Sequence, residues 1–222
     1  MVAISPMDLS QSIHAKHTQF FERIRDRKEF CALKDGAIPP PPKNWEQGAM
    51  GGMTRYMTKD VRQLFVDYTY RSEVCRSQRD VLNLAMRLSI INTTNVVEDV
   101  FMYYVKAFGA TDAFCHDDRL GAWSRRSTLE VDKLIKRCIF IRQVNWISNH
   151  CAWEELQISS REIGERIAPV AERVEYFPDG VYIVLDSRPL TMAEAKEKTL
   201  AANLALYPEI APIIPDLLAI DA

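Results

Sequence analysis

Three Ser/Thr-x-x-Glu patterns set the strongest limit on what this chain can fold into. In such a pattern the hydroxyl accepts a hydrogen bond from the amide three residues on, and the glutamate reaches back to the first amide. The three pairs are Ser127 with Glu130, Ser159 with Glu162, and Thr191 with Glu194. Because apolar residues at helical spacing follow each pair, the sequence predicts helices over roughly 128–150, 160–173 and 192–206.

The first half of the chain shows further helical periodicity. Apolar residues recur at spacings of three, four and seven over residues 7–30, and again from Thr58 to Cys75. The run 81–91 is apolar nearly all round, which is typical of a helix in the middle of a core. Asn95 can cap another helix that ends at Gly109. These segments predict a mainly α (all-alpha) fold of about seven helices.

One segment departs from the helical pattern. Residues 174–186 hold two runs rich in β-branched and aromatic residues, on either side of Pro178-Asp179-Gly180. Proline presets the first turn position, aspartate caps the turn, and glycine accepts a positive φ. The sequence therefore predicts one small β-hairpin, packed on the helices because an isolated two-stranded hairpin is barely stable in water.

A long loop rich in proline and glycine runs through residues 36–53. Its four consecutive prolines favour polyproline II, which an aromatic groove of another protein can recognise. The loop also holds apolar residues, among them Trp45, which an interdomain linker should lack, and only one predicted helix precedes it. We therefore expect a single domain over residues 1–222 with this loop inside it. Trp45 either pins the loop to the core or anchors a partner.

Composition narrows the class of protein. The chain has 222 residues and a formal net charge of −2, so no overall field attracts nucleic acid or an anionic membrane. No stretch approaches the ~20 apolar residues that span a bilayer, and no signal-peptide pattern opens the chain. Five widely spaced cysteines do not suggest a disulfide scaffold. These features predict a cytoplasmic protein.

A search for chemistry finds no catalytic motif. Phosphate-binding loops, a nucleophile elbow, HExxH and paired CxxC motifs are all absent, which argues against an enzyme and predicts no metal or cofactor. Two weaker groupings remain. Cys115 and His116 could form an unfamiliar helical active site if the fold brings His150 and Cys151 beside them. His14 and the histidine three residues on could face one metal, but no third ligand is identifiable.

A basic segment offers an alternative function. Residues 119–149 carry seven Lys and Arg against two Asp and Glu. Arg126, Lys133 and Arg137 fall on one helical stripe, as a helical nucleic-acid binder would require. The opposite face, with Leu134 and Trp146 among others, is expected to be core. The acidic last third argues against tight polyanion binding.

The last third of the chain carries the leading hypothesis. Residues 150–222 hold six basic and thirteen acidic residues. Without a catalytic motif, we expect a protein-binding module whose acidic surface meets a basic partner. A bacterial immunity protein that inhibits a toxin by occupying its surface is one such class. The predicted partner-binding residues are Trp45, Glu154, Glu155, Glu162, Glu165, Glu172 and Asp179.

Overall fold

The structure, a computed structural model, describes residues 1–6, 12–25, 52–56, 61–68, 79–86 and 93–220. The chain divides into two compact units, Met1–Ala113 and Phe114–Ala222. The single domain over residues 1–222 stays a prediction. Trp45 and all of the loop up to residue 51 lie outside the described residues.

The first unit combines strands with helices. Its strands are β1 (Val2–Pro6), β2 (Gly52–Tyr56), β3 (Val61–Tyr68) and β4 (Arg79–Met86), and β5 (Asp112–Cys115) runs across the division between the units. Its helices are α1 (Ile13–Arg25), α2 (Thr93–Asn95) and α3 (Phe101–Phe108), the last two joined by a π-helical turn at Val96–Val100.

The first four strands form an antiparallel sheet in the order β2-β3-β4-β1. The helices predicted over residues 58–75 and 81–91 are therefore wrong. In β4 the side chains of Asp80, Leu82 and Leu84 are buried while those between them are half-buried, so burial has the period of two that a strand requires. Apolar runs this dense satisfy both the helical and the strand period, and cross-strand pairing decides between them.

The helices of this unit follow the sequence more closely. The helix predicted over residues 7–30 is confirmed in its middle part, where Phe20 of α1 packs against Tyr104 and Phe108 of α3 at ring-centroid distances of 6.3 and 5.4 Å. Asn95 makes no side-chain cap and lies inside a continuous helical run. Gly109 does end α3, with a φ of 67°. This left-handed conformation costs glycine little.

The second unit begins with a 3-10 turn at Asp118–Leu120 and α4 (Gly121–Ile135). There follow β6 (Val144–Ser148), α5 (Asn149–Leu156), α6 (Ser160–Ile167), β7 (Arg173–Phe177) and β8 (Gly180–Val184). The chain ends in α7 (Met192–Leu206), a 3-10 turn at Pro208–Ile213 and α8 (Ile214–Ala219).

The predicted hairpin is confirmed as β7 and β8, joined at Pro178 and Asp179. It does not stand alone, because β8 also pairs with β6 to give an antiparallel order β6-β8-β7. Gly180 has no positive φ. It is needed for space, since a Cβ there would lie 2.5 Å from the Ile147 carbonyl oxygen.

The three predicted helix starts have different outcomes. Thr191 and Glu194 form the full reciprocal box at the start of α7. At α6 the Ser159 hydroxyl accepts from the Glu162 amide at 3.1 Å. Ser127 caps nothing, because α4 already begins at Gly121 and buries that serine in its middle.

The predicted helix over residues 128–150 is correspondingly wrong in its second half. After α4 ends, the chain runs through the buried residues Ile139, Phe140 and Ile141 and becomes β6, all five residues of which are buried. Two side chains from the C-terminal end of α7 hold this path. Asn203 exchanges hydrogen bonds with the Ile141 backbone, and the Tyr207 hydroxyl does the same with the Ile139 backbone. Backbone groups without a strand partner are thereby satisfied inside the core.

Both units therefore contain sheets as well as helices, and the fold is mixed α/β. The predicted mainly α, all-alpha class is wrong. The core of the second unit lies between its sheet and α4, α6 and α7, and it includes Trp123, whose indole N–H donates to the Leu217 carbonyl at 2.8 Å. Among the described helices, none is long and apolar enough to cross a bilayer.

Candidate protein-binding surface

The predicted acidic residues are distributed over four neighbouring places in the second unit. The α5 residues are Glu154 and Glu155, the α6 residues are Glu162 and Glu165, Glu172 precedes β7, and Asp179 lies in the hairpin turn. α6 contacts both α5 and β7, so these elements form one packed group. Trp45, the remaining predicted partner residue, lies outside the described residues.

On α6 the carboxylates are balanced by arginines one turn away. Arg166 donates to Glu162 at 2.7 Å, and Arg161 donates to Glu165 at 2.9 Å. These exposed i,i+4 pairs contribute only ~0.3–0.5 kcal/mol each, but they cancel most of the local field. Glu172 accepts from the amide and hydroxyl of Ser187. The outer face of α6 is therefore a mixed-charge surface rather than an acidic one.

Two predicted carboxylates differ from the rest. Within the part of the chain that the structure describes, the carboxylates of Glu154 and Asp179 take part in no hydrogen bond or ion pair. Both side chains are exposed. Their backbone carbonyls accept hydrogen bonds from the Arg137 guanidinium and the Asn149 amide respectively. These two carboxylates are therefore available to interact with the charged groups of a partner.

Two large aromatic side chains on the same group of elements are exposed. Trp153 on α5 is 58 % exposed, and Tyr176 on β7 is 45 % exposed. Both lie on regular secondary structure, so their backbones are fixed before any partner arrives. Tryptophan and tyrosine are the side chains most enriched among residues that dominate binding energy at protein interfaces.

The orientation of Tyr176 depends on a glycine. Its ring crosses α6 at Gly164, where a Cβ would lie 2.7 Å from the ring, and the guanidinium of Arg161 lies 5.4 Å from the ring centroid. Glycine at this position leaves room for the ring against the helix, and the Tyr176 side chain is still 45 % exposed. A cation over an aromatic face is weakly attractive when exposed, by ~0.5–1 kcal/mol.

The sequence prediction did not include Trp153 or Tyr176. Tyr176 belongs to the predicted hairpin, where an aromatic side chain is expected to pack on the core, and Trp153 lies between two predicted helices. No signal in the sequence marks Trp153 as exposed, because consecutive helical residues point about 100° apart and the two glutamates that follow it fit a buried ring as well as an exposed one.

The Cys115 and His116 grouping has a different setting. Cys115 ends β5 and is half-buried, and the ring of His116 packs edge-on against Phe114 at 5.7 Å. Burial, helped by the nearby Arg142 guanidinium, lowers the pKa of His116 to about 3. Asp117 is engaged by Arg119, whose hydrogen bonds hold the pKa of that carboxyl below its usual range. His116 is therefore a neutral packing residue at ordinary pH.

The other predicted members of that grouping face elsewhere. His150 is exposed on the first turn of α5, and Cys151 packs against the core of the second unit. In the first unit His17 is buried against Phe21, with ring centroids 4.5 Å apart, while His14 is exposed. Over the described ranges, no three His, Cys, Asp or Glu side chains lie close enough to hold a metal ion.

The predicted basic stripe is interrupted. α4 ends at Ile135, so Arg137 lies beyond the helix that carries Arg126 and Lys133. Lys133 also pairs with Glu130 at 2.6 Å. Leu134, expected in the core, is 53 % exposed. Nucleic-acid binding by such a stripe stays a prediction, with fewer residues on the helix than the sequence suggested.

Comparisons with known protein families, with curated proteins and with solved structures find no match for this chain.

Proposed function

We propose that this chain is a protein-binding module that contacts its partner through Trp153, Tyr176 and the carboxylates of Glu154 and Asp179. The exposure of Trp153 carries the proposal. Burying a large apolar side chain contributes ~2–3 kcal/mol to stability. Because the Trp153 side chain stays largely exposed to solvent, much of this contribution is lost. A partner that covers the ring would recover that free energy.

The charge around the two aromatic side chains supports a basic partner. Glu154 follows Trp153 directly, and Asp179 lies three residues from Tyr176 in the hairpin turn. Opposite charges across an interface mainly raise the association rate, and salt screens that effect over ~8–10 Å. A bacterial immunity protein that covers the basic surface of a toxin is the specific class we propose. The free thiols of Cys115, Cys138 and Cys151 support a reducing compartment such as the cytoplasm.

Site-specific photo-cross-linking tests this function. A photoreactive phenylalanine analogue replaces Trp153 in one variant and Leu129 in the other, expressed in cells of the source organism. Leu129 is the matched control, since it is 61 % exposed on α4 of the same unit. We expect one defined cross-linked protein from position 153 and none from position 129. Equal cross-linking at both positions, or none at position 153, contradicts the proposal.

Association and dissociation rates measured with the captured protein then separate the contribution of the aromatic side chain from that of the carboxylate. Trp153→Ala should weaken affinity at least tenfold, mainly through faster dissociation, because it removes buried aromatic area. Glu154→Lys should slow association, and the difference from the wild type should shrink as salt is added. Leu129→Ala is the control for both variants. A Glu154→Lys variant with unchanged association at low salt would show that the carboxylate plays no part.

A further inference from the structure

One strand of the second unit lies at the edge of its sheet. The strand order β6-β8-β7 places β8 between the other two, so within the described part of the chain β7 has a partner on one side only. All five residues of β6 and all five of β8 are buried, whereas none of the five residues of β7 is buried. β7 therefore forms an edge that solvent can reach.

The register of the hairpin determines which backbone groups of β7 point outward. Phe177 and Gly180 flank the two-residue turn and pair directly, and in such a hairpin this closing pair exchanges hydrogen bonds. Hydrogen-bonded pairs recur at every second residue, so the backbone groups of Glu175 also face β8. The N–H and C=O groups of Val174 and Tyr176 therefore point away from β8.

These outward groups are available to a further strand. Within the described residues, neither the backbone of Val174 nor that of Tyr176 takes part in a hydrogen bond on its outer side. The open stretch is short, because the Glu172 amide already donates to the Val184 carbonyl at 3.0 Å and Pro178 has no amide. Two N–H groups and two C=O groups thus remain for pairing.

The open edge is held in place by α6. The side chains of Val174 and Tyr176 both lie against Gly164 of that helix, where a Cβ would be 3.0 Å from the valine Cγ1 and 2.7 Å from the tyrosine ring. Many edge strands carry a lysine, a proline or a bulge that prevents pairing. β7 contains neither lysine nor proline before its last residue, and its register with β8 runs without a break. Its centre is therefore a preformed template for another strand.

Glu175 lies between the two outward-pointing residues and gives the edge a charge preference. Its side chain is 43 % exposed and lies 3.3 Å from the Arg173 Nε, in an ion pair without a hydrogen bond at that nitrogen. On an added antiparallel strand, the residue opposite Glu175 would belong to a pair without backbone hydrogen bonds, where side chains lie closest. A basic side chain at that position would be attracted and an acidic one repelled.

We propose that β7 binds an extended segment of the partner protein as an added antiparallel strand, with a lysine or arginine of that segment opposite Glu175. Backbone hydrogen bonds to Val174 and Tyr176 would hold the segment, and the basic residue would select it. This inference rests on the proposed protein-binding function. It specifies how the part of the surface that contains Tyr176 contacts a basic partner.

A second copy of this chain fits the edge less well. Two β7 strands paired antiparallel through both Val174 and Tyr176 would place Glu175 directly opposite Glu175 of the other copy. Like charges in that position destabilise a strand pair. A shift by two residues would bring an outward residue opposite Pro178, which has no amide, or opposite Glu172, whose amide is already used. A basic segment of a different protein avoids both problems.

Titration with a synthetic peptide tests the edge without the captured protein. The probe is acetyl-Ser-Thr-Val-Lys-Val-Thr-Ser-amide, whose lysine would face Glu175. We expect saturable backbone NMR shifts at Val174 and Tyr176, and slower hydrogen exchange of their amides. The same peptide methylated on both valine nitrogens lacks the donors that would bond to β7 and should bind at least tenfold more weakly. Glutamate in place of the lysine should weaken binding at least threefold.

Three results of the titration would overturn the proposal. The first is the absence of a saturable shift on β7, and the second is equal binding of the methylated peptide. The third is a shift of the β7 signals that depends on protein concentration without peptide, because it would indicate that two copies pair with each other.

Variants at Val174 test the same edge in the complex with the captured protein. Because the Val174 N–H points away from β8, Val174→Pro removes one outward donor and should leave the hairpin intact. Val174→Ala is the matched control, since it also shortens the contact with α6 but keeps the amide. We expect Val174→Pro to bind both the peptide and the protein captured at position 153 at least fivefold more weakly than Val174→Ala.

These measurements separate the strand pairing from the proposed function. Equal affinity of the two Val174 variants for the captured protein would refute strand pairing and leave the protein-binding function standing. If position 153 captures no protein, the proposed function is contradicted, and the peptide titration alone then decides whether β7 accepts a strand.

Discussion

The Lys16 ammonium lies 2.6 Å from the Asp80 carboxylate in the interior of the first unit. Asp80 is fully buried and Lys16 nearly so. The same ammonium donates to the Ser5 hydroxyl at 2.9 Å and lies 5.0 Å from the ring centroid of Phe108. The pair therefore connects α1 to the sheet through β4 and β1. A buried ion pair of this kind gives little net stability, but losing one partner is costly.

Removing the lysine should therefore destabilise the first unit strongly. Lys16→Met keeps the length and apolar stem of the side chain but leaves Asp80 as an uncompensated buried charge, which should cost about 3–5 kcal/mol. Urea unfolding measures the loss. Lys133→Met is the control, because it removes an exposed pair with Glu130 and should cost less than about 1 kcal/mol. A Lys16→Met variant as stable as this control would contradict the prediction.

The capping box at the start of α7 should contribute measurably to the second unit. Thr191→Ala removes the acceptor for the Glu194 amide, at 3.3 Å, and should cost about 1 kcal/mol in urea unfolding. Thr191→Ser keeps the hydroxyl and should stay within ~0.5 kcal/mol of the wild type. If serine and alanine destabilise equally, the hydroxyl is not the stabilising group.

Gly180 should tolerate no side chain. A Cβ there would lie 2.5 Å from the Ile147 carbonyl oxygen and 2.8 Å from the Ser148 Cα, both of which belong to the backbone of the paired strand β6. Because a backbone cannot swing aside, Gly180→Ala should cost about 2–3 kcal/mol in thermal or urea unfolding.

Gly109→Ala is the comparison for that variant. Its Cβ would meet nothing within 4 Å, and only the positive φ would oppose it. We expect a cost of about 1 kcal/mol. Equal effects at the two glycines would show that the sheet can move to accept the methyl group.

His116 should make the protein less stable in mild acid. Its pKa is about 3 in the folded protein and 6.5 when unperturbed, so between these values the unfolded chain binds a proton that the folded chain does not. Stability is therefore full above pH 6.5 and falls as the pH drops, with a slope approaching ~1.4 kcal/mol per pH unit. Between pH 6 and pH 4 the wild type should lose about 2 kcal/mol more than His116→Asn.

Urea unfolding at both pH values measures this difference. His150→Asn is the control, since that side chain is exposed on α5 and should leave the pH profile unchanged. A His116→Asn variant with the same acid sensitivity as the wild type would show that His116 is protonated in the folded protein.

Only part of the candidate surface could be predicted from the sequence. The excess of carboxylates after residue 150 can be counted in the sequence. Which of these carboxylates form ion pairs cannot be read from that count. Arg161 and Arg166 lie one turn from Glu165 and Glu162, so the i,i+4 spacing could have predicted the neutralised face of α6. The exposure of Trp153 could not be predicted, because it depends on which face of α5 the sheet and α6 cover.

Interactions within a few residues were determined by the sequence itself. The box of Thr191 and Glu194, the left-handed Gly109 and the hairpin turn at Pro178 are each completed by neighbouring residues, so the local sequence contains all the groups involved. Tertiary structure decided the rest. The apolar runs in β3 and β4 fit a helix or a strand, and pairing with distant chain segments selected the strand. The same holds for Lys16 and Asp80, which are 64 residues apart, because burial of an ion pair is determined only when the elements that carry it pack together.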